Sequence, residues 1–235
     1  MKNAILASTS TLHGQAYLSY LLPEISKLFK NCAEIIFIPF ARPGGITHDE
    51  YTSLVRKAFE PISINVKGLH EFKDKEEALK KAQGIFTGGG NTFLLVDKLH
   101  RINLMMSLRD QILGGTPYLG SSAGTNIGGL TMQTTNDMPI IYPPSFKTLG
   151  VVPFNINPHY LDPDLNSTHK GETRETRIKE FHTINTQPVV GLREGSWLEI
   201  KENDITLRGT LSARIFKVGK EPMELASNSN LSEII

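Results

Sequence analysis

The chain has 235 residues, 39% of them hydrophobic and 21% charged, and its 25 Lys and Arg nearly balance its 24 Asp and Glu for a net charge of +1. This composition suits a globular protein with a full apolar core. The basic residues are scattered, with no arginine-rich arm or polybasic stripe, which argues against nucleic acid as a partner, and no apolar segment approaches the roughly 20 residues that span a bilayer.

The lone cysteine, Cys32, has no intrachain disulfide partner. The apolar run after Met1 is too short for a signal peptide, so a reducing cytoplasm is the expected setting. With no histidine near it in sequence, Cys32 reads as a small buried hydrophobe.

Ala4-Ile5-Leu6-Ala7 reads as a short buried strand, and Ser8 to Thr11 as a polar loop at its carboxyl end. Apolar residues from Tyr17 to Phe29 recur at helical spacing, with Pro23 kinking that helix or restarting it. Ile35 to Ile38 is β-branched and apolar throughout, the pattern of a parallel strand covered on both faces. Thr47 and Glu50 form a capping box ahead of a stripe made by Tyr51, Leu54, Val55, Ala58 and Phe59. Ile62 to Val66 alternates like a strand near an edge, and Glu76 to Ala82 reads as a helix. Gly84 to Thr87 is a strand that runs into Gly88-Gly89-Gly90-Asn91, followed by helical segments from Phe93 and from Leu104 to Leu113.

Another strand then ends in Gly120-Ser121-Ser122-Ala123-Gly124. A strand that stops at Gly120 and turns into a helix at Gly124 lifts the Ser122 hydroxyl clear of the sheet, in a nucleophile elbow. A Cβ at either glycine would crowd so tight a turn. The regular alternation of strand and helix up to Ser122 predicts an α/β fold: a doubly wound, mostly parallel sheet flanked by helices, in a single α/β domain over 1–235. Both glycine-rich turns fall at carboxyl ends of strands, where such sheets bind ligands. Thr131 to Gln187 reads as a long polar loop region that builds a site. From Val189 the pattern becomes β-rich, with strands at Val189 to Leu192, Trp197 to Ile200, Ile205 to Leu207 after a turn at Glu202 to Asp204, and Ala213 to Val218. Ser227 to Asn230 reads as frayed.

A serine nucleophile needs a base within hydrogen-bond reach and a third group that orients the base. His13, His48, His70 and His100 read as surface or capping histidines, whereas His159, held between Pro158 and Tyr160, is the favoured base, with His169 and His182 competing. Asp137 and Glu194 are both candidates for the orienting acid; their bland readings are a turn residue and a solvated charge. The Gly88 to Gly90 turn, with Gly89 and Gly90, and the Ala123 amide are candidates for an oxyanion site. As a phosphate loop the glycine turn lacks the Lys-Ser/Thr of a P-loop and the spacing of a dinucleotide fingerprint. No set of His, Cys and carboxylates has zinc-ligand spacing, so no metal is expected.

Six blocks in order carry a resemblance: Gly88 to Phe93, Gly120 to Asn126, Thr134 to Ile140, Ile156 to Tyr160, His169 to Glu175 and Gly191 to Trp197. Together they resemble peptidase E, the α-aspartyl dipeptidases. The resemblance implies a cytoplasmic serine peptidase that splits dipeptides with an amino-terminal aspartate. It implies a fold like that of class I glutamine amidotransferases, which the β-rich stretch from Val189 extends at the C-terminus; no cofactor is expected, a small peptide is the expected partner, and monomer and homodimer are both open. It places the nucleophile at Ser122 and the base at His159, and leaves Asp137 and Glu194 both open as the third member. Recognition of a substrate carboxylate calls for a fixed cation, for which Arg174 is the first choice, with Arg177, Lys170 and His169 behind it and Asn91 as a further substrate-binding residue. The rival reading for Arg174 is a solvated helix start with its own ion pairs. Ser121 departs from the bulkier residue familiar at that position, which is expected to widen one wall of the site. The same scaffold resembles cyanophycinase, a β-aspartyl peptidase, and a non-catalytic binding module is the alternative outside the enzymes.

Overall fold

Ala4 and Leu6 of the first strand, β1 (Asn3–Ala7), face one apolar cluster, while Ile5 and Ala7 face another. In β2 (Glu34–Ile38), Ile36 and Ile38 likewise part from Ile35 and Phe37. A strand buried on both faces needs a layer of helices above and below it. The computed structural model, which describes residues 1–163 and 171–232, shows both layers. Helices α1 (Leu22–Leu28) and α2 (His48–Phe59) supply Ile25, Leu28, Tyr51, Val55 and Phe59 to one cluster. Helices α3 (Lys75–Lys80), α4 (Thr92–Arg101), α5 (Leu104–Gly114) and the single turn α6 (Ala123–Asn126) build the other.

With β3 (Asn65–Gly68), β4 (Ile85–Thr87) and β5 (Tyr118–Ser121), the five amino-terminal strands form the parallel part of a sheet ordered β3-β2-β4-β5-β1. Beyond β1 the sheet is extended antiparallel by β8 (Trp197–Lys201) and β9 (Asp204–Arg208). A second sheet, ordered β11-β10-β7-β6, joins β6 (Asn155–Pro158), β7 (Val189–Leu192), β10 (Ala213–Phe216) and β11 (Met223–Leu225). Ile156, Val190, Leu192 and Ile215 carry it into the same cluster as α3 to α6. Its other side is covered by Ile178 of α7 (Arg174–Phe181).

The expected α/β fold with a mostly parallel, helix-flanked sheet is present, with local differences. The strand expected from Ile62 to Val66 is instead a 3-10 turn at Glu60–Ile62 followed by β3 from Asn65. The stripe from Tyr17 to Phe29 splits into a 3-10 turn at Ser19–Leu21 and α1, which starts at Leu22 with Pro23 in its first turn. Thr131 to Gln187 is not loop throughout, since it holds β6 and α7. The carboxyl-terminal stretch read as frayed is instead zipped onto β9: Asn228 N–H donates to Leu207 C=O, Leu207 N–H to Ser229 C=O, and Leu231, fully buried, donates to Ile205 C=O. Cys32 is buried as expected, and burial raises its thiol pKa. No helix of the described residues is long and apolar enough to cross a membrane.

Candidate active site

Ser122 stands between β5 and α6 with φ 54° and ψ −110°, a left-handed conformation that costs a non-glycine residue about 1–3 kcal/mol. The surroundings hold it there. Its N–H donates to Ala7 C=O at 3.1 Å, and its C=O accepts from Thr125 and Asn126 N–H, both at 2.9 Å. The flanking glycines are needed for close approach: a Cβ on Gly120 would lie 2.5 Å from the Gly124 carbonyl oxygen, and one on Gly124 would lie 2.1 Å from that of Thr87. Next to it, Ser121 is fully buried and its hydroxyl has no partner among the described residues. Ser121, expected to widen a wall of the site, is thus closed off from solvent.

The base and its orienting acid come from the second sheet. Strands β6 and β7 run parallel with Pro158 opposite Leu192, so the residues that follow each strand emerge side by side. His159 Nε2 lies 2.8 Å from Ser122 Oγ, and His159 Nδ1 lies 2.6 Å from Glu194 Oε1. His159 has φ 54°, which turns its ring back toward β5. Ser8, fully buried at the end of β1, fastens this junction: its hydroxyl accepts from His159 N–H at 2.9 Å and donates to Leu192 C=O at 2.7 Å. Arg193 fastens it from below, forking to Asp162, three residues past His159, and to Glu224 of β11. Its hydrogen bonds hold the Glu224 carboxyl down to about 2.

Neither Ser8 nor Arg193 stood out in the sequence, where Ser8 looked like an ordinary loop residue and Arg193 like a neighbour of Glu194. Ser8→Ala leaves the His159 amide and the Leu192 carbonyl without their shared partner. It is expected to cost about 1–3 kcal/mol of stability and to lower turnover roughly tenfold as His159 drifts, checked by thermal melts alongside steady-state kinetics.

Asp137 is not placed beside the histidine. Its carboxylate accepts from Thr92 N–H at 2.7 Å and from the Thr135 hydroxyl at 3.0 Å, at the amino end of α4, where a negative charge also meets the helix dipole. Asn91, expected to bind substrate, stands at the start of α4. Its Oδ1 caps α4 by accepting from Leu94 N–H, and its Nδ2 donates one of its two protons to Met138 C=O. Three other histidines have their partners elsewhere: His70 pairs with Asp49, His100 with Lys147 C=O and His182 with Gln187 C=O.

The glycine turn after β4 faces the serine, since a Cβ on Gly89 would come within 2.9 Å of Ser122 Cβ. The Gly89 amide, however, does not point at the site: it donates to the Tyr51 hydroxyl at 3.0 Å, which donates back to Gly89 C=O at 3.2 Å. Gly90 and Ala123 N–H have no acceptor among the described residues. Gly90 has φ 143°, and a Cβ there would meet Ala41 C=O at 2.2 Å, so the turn admits only glycine. Of the three donors expected from the sequence, Gly90 and Ala123 are therefore available and Gly89 is spent on Tyr51.

Arg174 opens α7, behind the capping hydroxyl of Thr173. The helix does carry its own ion pairs, Glu172 with Arg177 and Glu175 with Lys179, but Arg174 belongs to none of them among the described residues. Partial burial and the neighbouring Arg177 charge lower its pKa, against a pull from Asp137. A half-buried guanidinium without a carboxylate favours an anion from outside. Lys170 and His169 lie outside the described residues. No cluster of three His, Cys, Asp or Glu groups able to hold a metal is found among the described residues.

A strained serine hydrogen-bonded to a histidine, itself hydrogen-bonded to a carboxylate, beside two free amides, is an arrangement for acyl transfer. The family model for peptidase family S51 matches residues 4–208. The chain belongs to peptidase family S51. Among S51 relatives, it is 48% identical to Peptidase E of Streptomyces coelicolor, with 99% of this chain and 95% of that one covered. It is 46% identical to a Drosophila melanogaster protein named "Probable alpha-aspartyl dipeptidase", with 100% and 98% covered. The fold matches the crystal structure of a peptidase from an acI-B1 Actinobacterium with a TM-score of 0.73 at 18% identity, covering 98% of this chain and 96% of the other.

Proposed function

We propose that this S51 protein is a serine dipeptidase that hydrolyses dipeptides with an amino-terminal aspartate, through Ser122, His159 and Glu194. The observation that carries the reading is the unbroken chain of hydrogen bonds from Ser122 Oγ through both ring nitrogens of His159 to Glu194. Glu194 accepts from Nδ1–H, which leaves Nε2 as the acceptor for the serine proton. Ser122 Oγ attacks the scissile carbonyl as its proton passes to Nε2. The oxyanion that forms is met by Gly90 and Ala123 N–H. His159 then donates the proton to the leaving amine, and the C–N bond breaks to give an aspartyl ester of Ser122. Water, deprotonated by His159, hydrolyses that ester and releases aspartate.

The names of the relatives support an aspartyl substrate, and Arg174 supplies its cation. The test is a comparison of Asp-Leu, Asn-Leu and Ala-Leu as substrates. Wild-type protein is expected to prefer Asp-Leu, and Arg174→Ala to cost roughly 1.5–3 kcal/mol of the discrimination between Asp-Leu and Ala-Leu. An unchanged ratio would remove Arg174 from substrate recognition. Efficient hydrolysis of β-linked aspartyl-arginine but not Asp-Leu would point to the cyanophycinase-like activity instead. Failure of a serine-directed fluorophosphonate to label Ser122 would point to a binding module.

A further inference from the structure

We propose that Arg42 forms a second anion subsite, which binds the free α-carboxylate of the leaving amino acid. The inference rests on the dipeptidase reading and adds a second recognition element to that of Arg174.

Nine arginines occur in the chain, and among the described residues six have a carboxylate within ion-pair reach. The three without one are Arg42, Arg109 and Arg174. Arg109 sits on α5 with its guanidinium against Gly150, away from the strand ends that carry the site. Arg174 is assigned to the aspartyl side chain of the substrate. Arg42 is the remaining arginine, and the chain carries it to the turn beside the site.

Two contacts fix its place. Ala41 C=O accepts from Asn91 N–H at 2.7 Å and packs against Gly90, so Arg42 follows a residue that touches the oxyanion turn. Its guanidinium then lies 4.8 Å over the centre of the Tyr51 ring. Tyr51 is buried, edge-on to Phe37 and hydrogen-bonded through its hydroxyl to Gly89. One aromatic ring and one hydrogen bond thus separate the guanidinium from the turn that faces Ser122. Tyr51 belongs to the α2 side of the sheet, whereas Asp137, which pulls on Arg174, caps α4 on the other side. Arg42 is thus tied to an element on one face of the sheet, and Arg174, through the Asp137 charge, to an element on the other.

The chemistry of a dipeptide calls for such a pair. In Asp-Xaa the leaving residue ends in a carboxylate whose carbon lies only about 4 Å from the scissile carbonyl carbon. An exposed guanidinium stacked on a fixed ring keeps its planar fork free for two parallel bonds to that carboxylate. In a longer peptide the same position holds a neutral amide, which satisfies the arginine poorly. Arg174 then reads the first residue, and Arg42 reads the fact that the second is the last.

The test compares Asp-Leu with Asp-Leu amide, which differ only in the carboxyl-terminal charge, using wild-type protein and Arg42→Gln. Wild-type protein is expected to favour the free acid in kcat/KM by about tenfold or more, the scale of one charge-assisted fork. Arg42→Gln is expected to lower kcat/KM for Asp-Leu by a similar factor and to leave the amide within about twofold, so that the preference collapses toward one. An unchanged preference in Arg42→Gln, or an equal loss on both substrates, would overturn the subsite. If wild-type protein cleaved neither compound, the dipeptidase reading itself would fall, a result distinct from cleavage of both without preference, which overturns the subsite alone.

Discussion

Ser122→Ala is expected to lower Asp-Leu turnover on the order of 10⁴-fold or more while the protein stays folded. The substitution deletes one atom, Oγ, whose hydrogen bond in the structure goes to His159 Nε2. The backbone bonds that hold the elbow run from Ser122 N–H to Ala7 C=O and from Thr125 and Asn126 to Ser122 C=O, and alanine keeps all three. Alanine carries the same Cβ, so the strain at φ 54° is unchanged. The loss should therefore fall on chemistry and not on stability. Steady-state hydrolysis and a thermal melt of the same preparation check it: turnover within tenfold of wild type would end the serine mechanism, whatever the melt shows.

Features set by neighbours along the chain were legible in the sequence. The Thr47 and Glu50 capping box is present as expected, with Thr47 accepting from Glu50 N–H and Glu50 accepting in return from Thr47 N–H. The strand from Ile35 to Ile38 and the elbow at Ser122 depend on local pattern and on glycine, and both were placed within a residue or so. The partners of Ser122 were harder. The Asn155-Ile156-Asn157-Pro158 segment does not look like a strand, because its two asparagines break the apolar pattern. In the fold those asparagines are buried and their amides find distant acceptors, Asn155 at Thr131 Oγ1 and Asn157 at Thr134 C=O. The meeting of His159 with Glu194 depends on the register of β6 against β7, and no local rule sets a parallel register between strands more than 30 residues apart. Asp137 and Glu194 both lie in loops after the elbow, so proximity in sequence could not choose between them. The choice is made by topology: Asp137 lies where α4 begins, and Glu194 follows the strand beside that of His159.

That assignment is open to a paired measurement, Glu194→Gln against Asp137→Asn. Both changes remove a negative charge and keep the shape of the side chain. At 194 the glutamine amide can turn its NH₂ toward the ring. His159 then accepts at Nδ1 and carries its proton on Nε2, which faces Ser122 Oγ and can no longer take the serine proton. The Glu194 side chain is 49% exposed, so it acts by fixing tautomer and orientation and only weakly as a buried countercharge. Turnover of Asp-Leu is expected to fall by about 10²–10⁴-fold. At 137 the amide still accepts from Thr92 N–H but no longer meets the α4 dipole with a charge, which is expected to cost about 0.5–1 kcal/mol of stability. Because Asp137 also pulls on Arg174, its loss is expected to alter KM for Asp-Leu by a few fold, with kcat nearly unchanged. An Asp137→Asn protein that lost kcat as heavily as Glu194→Gln would mean that the acid at 137, and not the one at 194, governs His159 during turnover.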